Sequence, residues 1–253
     1  MRSHRREAGQ AELLDNVTPT TASLLQWWFG AGQAQARGGL AFTETQQQAI
    51  VNTIAQHETA CRQHRVAPPR HRVNLHHELD KVQVMLALLL WQLLNHADAD
   101  AAGLSDPRFT RHFVAIVPCR SARERLMDAL WGQALTGGDG ARDFSSADLV
   151  RFAEQLIPEA RRDEVHAFMC GAALIGRANA DEDWIVITEQ PLETLNGLAR
   201  LPHLMVFAHE ARSHETVHLN ATTAGRRQLR RLVSMHGKPC MEVVFPDPAS
   251  EAL

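Results

Sequence analysis

The sequence predicts an α/β protein built on a mainly parallel sheet with helices on both faces. The strand candidates are short, mostly apolar runs at 113–117, 184–188, 204–207 and 241–245, the pattern of strands that are buried on both faces. Helical segments separate these runs, and such alternation is typical of parallel strands joined by crossover helices. Ligands of such folds bind beyond the carboxyl ends of the strands, so the residues after each strand are the first candidates for a site.

Composition limits the class of protein. The chain has 253 residues, of which 45% are hydrophobic, and its net charge of −3 excludes a globally basic nucleic-acid coat. The longest apolar run, Val84 to Leu94, is about half of the roughly 20 residues that a membrane span needs. The N-terminus has no apolar signal region, and the four cysteines form no CxxC pair. We therefore expect a reduced, cytoplasmic protein with no membrane association.

The first part of the chain is predicted to be helical. Residues 1–17 are polar and are expected to form a flexible N-terminus. A helix is expected to start near Thr18, with Pro19 in its first turn, and a second helix is predicted over 45–63. These two helices form an entry segment over 18–64, which precedes the parallel sheet.

The remaining elements alternate between strands and helices. A short strand is predicted at 73–75, and the most apolar helix of the chain, predicted at 81–96, is expected to be buried. A turn region at 98–106 precedes the strand at 113–117. Further helices are predicted at 121–133, 145–157, 159–169 and 223–235.

Two segments that follow strands resemble parts of a nucleotide-hydrolysing site. Lys81 stands near the start of a helix after the first strand, where a phosphate-binding loop places a lysine, but the glycines of such a loop are absent. After the strand at 204–207 come His209 and Glu210, where a nucleotide hydrolase carries an Asp for magnesium and a Glu for the attacking water.

The order of these motifs resembles a known family. The pattern QQQAI from Gln46, the helix VMLALLLWQLLN from Val84, the segment FVAIVPCRSARERL from Phe113 and the segment LPHLMVFAHEAR from Leu201 are similar to motifs of the N-terminal motor domain of superfamily 2 DEAD/DEAH-type helicases. The resemblance is strongest to the helicase (Res) subunits of type III restriction enzymes. It implies a P-loop NTPase (RecA-like) fold over 65–253 as a single domain.

The resemblance also implies roles for individual residues. Gln46 would read adenine, Lys81 would bind phosphate and Glu210 would be catalytic, with ATP and magnesium as cofactors. Arg120, Arg123 and Thr188 would contact the backbone of DNA or RNA.

The departures from the family pattern are all at ATP-site positions. Asp80 takes the place of the last loop glycine, Val82 that of the magnesium-binding hydroxyl, and His209 that of the box Asp. The second motor domain is expected to be absent. We therefore expect a degenerate helicase-like module that binds nucleic acid or a protein partner in a DNA-processing or restriction/defence system. The alternative is the ATP-binding half of a split helicase, which a partner chain completes and which then hydrolyses ATP.

A second, unrelated motif keeps a remote alternative open. His214 and His218 belong to an HExxH sequence, which places two imidazoles on one helix face for zinc and a Glu to activate water. No glycine-plus-histidine extension follows this motif. A zinc hydrolase is therefore the third interpretation of the sequence.

Overall fold

The computed structural model describes residues 17–29, 42–62, 70–75, 78–104, 106, 108–110, 112–117, 120–131, 184–188, 205–209 and 241–245. The flexible N-terminus predicted over 1–17, apart from Val17, lies outside this part of the chain. The same holds for the helices predicted at 145–157, 159–169 and 223–235, and for Glu210, His214 and His218.

Five strands form one parallel sheet. They are β1 (Arg70–Arg72), β2 (His112–Ile116), β3 (Trp184–Thr188), β4 (Met205–His209) and β5 (Met241–Phe245). Their order across the sheet is β1-β5-β4-β2-β3, and every described pairing is parallel. The register places one residue of each strand in a single row, which consists of Arg72, Val244, Ala208, Ile116 and Thr188. The carboxyl ends of all five strands therefore lie along one edge of the sheet.

Four helices accompany the sheet in the described residues: α1 (Pro19–Phe29), α2 (Glu44–Arg62), α3 (Glu78–Ala101) and α4 (Arg120–Trp131). Helix α1 begins where the sequence indicates, because the Thr18 hydroxyl accepts the Thr21 N–H at 3.1 Å and Pro19 occupies the first helical position. Helix α3 ends at a Schellman motif. Gly103 has a φ of 69°, and the Leu104 N–H donates to the Ala99 carbonyl at 2.9 Å.

Helix α3 is the centre of the hydrophobic core. Residues 84–95 of this helix are all buried, which agrees with the prediction from its apolar sequence. Helices α1 and α2 both contact α3. Their buried side chains, among them Trp28 and Ile54, belong to the same core cluster as Phe113 and Phe245 of the sheet. The entry segment is thus packed into the core that covers the sheet.

Of the helices and strands predicted within the described residues, most are found near their predicted bounds, and three need correction. The strands at 184–188 and 241–245 have the predicted bounds. The first strand, however, is 70–72 and not 73–75, because its pairing with β5 decides its position and its polar sequence gives no apolar signal. Helix α3 extends from Glu78 to Ala101, beyond the predicted 81–96, since the apolar pattern used for the prediction stops before the helix does and Gly103 ends it. Strand β4 continues through His209, two residues beyond its predicted end.

Within the described residues, none of the helices combines the length and the apolar character that a membrane crossing requires.

Candidate functional site

Several predicted site residues follow strands of the sheet in the chain. Lys81 follows β1, Arg120 and Arg123 follow β2, and Thr188 is the last residue of β3. Glu210 follows β4 directly but lies outside the described residues. Neighbouring strands are about 4.8 Å apart, so β1 and β4, which flank β5, are separated by roughly 10 Å. Strands β2 and β3, which are followed or ended by the residues predicted to contact nucleic acid, are adjacent and lie at the other end of the sheet.

Gln46 has a structural role in the described part of the chain. Its side chain is 1% exposed, and its Oε1 accepts the Thr43 N–H at 2.8 Å while the Thr43 hydroxyl accepts the Gln46 N–H at 3.3 Å. This reciprocal pair is a capping box at the start of α2. The Gln46 Nε2 donates to Gln83 Oε1 of α3 at 2.6 Å. Both ends of the amide predicted to read adenine are therefore engaged within the protein.

Lys81 lies inside the protein and inside a helix. The side chain is 3% exposed, and α3 begins three residues earlier, at Glu78. A phosphate-binding lysine belongs at the exposed junction between a loop and a helix, where free backbone N–H groups also face the phosphate. In this structure the residues directly before Lys81 are already helical, as the missing loop glycines would suggest.

Arg120 is the most accessible of the predicted site residues with described side chains. It is the first residue of α4, its side chain is 83% exposed, and its Nε donates to Glu124 Oε1 at 2.7 Å. Exposed pairs of this i,i+4 kind contribute only about 0.3–0.5 kcal/mol, so a phosphate could displace the carboxylate. Arg123, one turn further along, is partly buried. The backbone of Thr188 pairs with Ile116 of β2, four residues before Arg120.

A buried polar cluster, which the sequence analysis did not predict, joins three helices. We call it the Thr21 cluster, and it consists of Thr18, Thr21, Glu58, Trp91 and Asn95. The Thr21 hydroxyl donates to Glu58 Oε1 at 2.9 Å and accepts from Trp91 Nε1 and from Asn95 Nδ2, both at 3.0 Å. The Thr18 N–H donates to Glu58 Oε2 at 3.1 Å, and the Thr18 hydroxyl donates to Asn95 Oδ1. A hydroxyl offers one donor and two acceptor positions, so Thr21 is saturated.

Arg108 extends this cluster toward the start of β2. Its NH1 lies 3.5 Å from Glu58 Oε2, and its NH2 lies 2.6 Å from Asp106 Oδ2. Burial raises the pKa of Glu58, while the hydrogen bond from Thr21 and the charge of Arg108 act in the opposite direction. The cluster holds α1, α2 and α3 together, and its polar groups form hydrogen bonds with one another.

Two buried histidines lie beside the cluster. His57 Nε2 is 2.9 Å from the Arg108 carbonyl, and the ring centroids of His57 and His71 are 6.0 Å apart. Burial lowers the pKa of His57 to about 4. Burial, followed by the neighbouring His57, lowers the pKa of His71 to about 3. Both imidazoles are therefore neutral at pH 7, and each contributes to acid sensitivity of the fold.

The described residues contain no group of three or more histidine, cysteine, aspartate or glutamate side chains arranged to hold a metal ion. The HExxH residues His214 and His218 are not among the described residues, so the zinc interpretation stays a prediction.

Three comparisons with known proteins found no similarity. No family model matches the chain. Neither a curated protein nor a solved structure matches it. Arguments about function therefore depend on the chain's own residues and geometry.

Proposed function

We propose that the chain is a helicase-like domain of RecA type that contacts the backbone of nucleic acid and is not an ATPase by itself. The observation that carries this proposal is a contrast in accessibility. The ATP-site candidates Gln46 and Lys81 are buried, whereas Arg120 is 83% exposed at the carboxyl end of β2. The parallel sheet supports the proposal, since its single carboxyl edge is where such folds bind their ligands. The resemblance of its motifs is the ground for proposing that the domain acts in a DNA-processing or restriction/defence system.

The expected contact is with phosphates and not with bases. Arg120 presents its guanidinium at the first turn of α4, where the backbone N–H groups also favour an anion. Such contacts position a nucleic acid without reading its sequence. We therefore expect weak, salt-dependent affinity that is similar for unrelated sequences.

Fluorescence anisotropy with labelled 20-nucleotide single-stranded and 20-base-pair double-stranded DNA tests the proposal. Arg120→Glu is expected to weaken binding about tenfold, which is about 1.4 kcal/mol. It should also reduce the slope of log affinity against log salt by about 0.9 for duplex DNA. Glu124→Gln removes the competing carboxylate and should leave binding equal or a few-fold tighter.

The matched control is Arg72→Glu, the same change of charge on β1. In the sheet β1 and β2 are three strand spacings apart, roughly 14 Å. This distance exceeds the Debye length of about 8 Å at physiological salt. The charge at residue 72 is therefore largely screened from a nucleic acid that is bound at Arg120. Equal weakening by Arg72→Glu and Arg120→Glu would refute a localised contact at the β2 end of the sheet.

The alternative function is the ATP-binding half of a split motor. The strand order supports it, because only β5 separates the strand that precedes Lys81 from the strand that precedes Glu210. A partner chain would then have to open access to Lys81. Titration of the chain with a fluorescent ATP analogue and magnesium distinguishes the two proposals. Saturable binding that Lys81→Ala abolishes, without a change in thermal stability, would favour the split motor.

A further inference from the structure

We draw no further inference here: the strongest candidate, the buried side-chain pair of His57 and His71 between helix α2 and strand β1, accounts only for the acid sensitivity of the fold that its burial already implies.

Discussion

Replacing Thr21 with valine tests whether the Thr21 cluster holds the entry segment on the core. The substitution keeps the shape and the β-branch of the side chain and replaces only the hydroxyl by a methyl group. Thr21 is fully buried, so no water is available to replace the hydroxyl. The Trp91 Nε1–H and one Asn95 Nδ2–H lose their acceptor, and Glu58 loses one of its donors.

The expected cost follows from these losses. A buried neutral donor without a partner costs about 1–3 kcal/mol, and two such donors are affected. The Trp91 N–H also interacts with the Glu58 carboxylate, and Glu58 keeps the Thr18 N–H and Arg108 as partners. We therefore expect a loss of about 3 kcal/mol in the free energy of unfolding. In a chain of this size this loss lowers the melting temperature by about 6–12 °C.

The assay is urea unfolding followed by tryptophan fluorescence, with thermal unfolding in parallel. Trp27 and Trp28 lie on α1 and Trp91 lies in the cluster, so the signal reports the contact in question. The control is Thr20→Val, the same change one residue earlier, where the hydroxyl donates to Asp98 Oδ2 in an exposed bond of 3.0 Å. This control should change stability by less than about 0.5 kcal/mol. Equal effects of the two substitutions would refute the role assigned to the cluster.

Three further predictions concern other described residues. Because burial lowers the folded-state pKa of His57 to about 4 and of His71 to about 3, the unfolded chain binds more protons below pH 6.5. Their contribution to stability is complete above pH 6.5 and is lost as the pH falls toward these values. Because the pKa of Glu58 is raised, protonation of this carboxyl group has the opposite effect just above pH 4.5 and favours the folded state as the pH falls. The urea midpoint should therefore decrease between pH 7.5 and pH 5, and a constant midpoint would contradict this reasoning. Gln46→Ala removes the capping box and should lower the free energy of unfolding by about 1–2 kcal/mol, measured by thermal unfolding. An unchanged melting temperature would argue against the cap. Gly103→Ala places a methyl group in open space at a residue whose φ is 69°. Calorimetry should therefore show a loss of about 1 kcal/mol in the free energy of unfolding, which comes from the backbone conformation alone. A stabilised variant would contradict this conformation of Gly103.

The sequence predicted the elements whose pattern is local. Strands β3 and β5 have the predicted bounds, since each is a mostly apolar run that ends where polar or proline residues begin. The burial of α3 could be predicted because its central residues are apolar on nearly all sides. Strand β1 could not be placed in this way. Its three residues, Arg70, His71 and Arg72, have no apolar pattern, and their pairing with β5 alone makes them a strand.

The candidate site residues also divide into those that a local sequence pattern explains and those that depend on tertiary packing. The string Thr43-Glu-Thr-Gln46 has the spacing of a capping box, so the role of Gln46 was present in the sequence as a local signal. The resemblance to helicases implied adenine binding by this residue instead. The exposure of Arg120 and the burial of Lys81, in contrast, depend on which surfaces of α3 and α4 meet the rest of the molecule.

What the sequence by itself determined is the type and approximate position of most described helices and strands, because periodicity and turn residues act over a few positions. The tertiary structure decided the strand order, the row of carboxyl ends along one edge and the Thr21 cluster. The hydroxyl of Thr21 meets partners that are 37, 70 and 74 residues away in the chain. Hydrogen bonds are short and directional, so such a contact exists only after hydrophobic burial has brought three separate helices together.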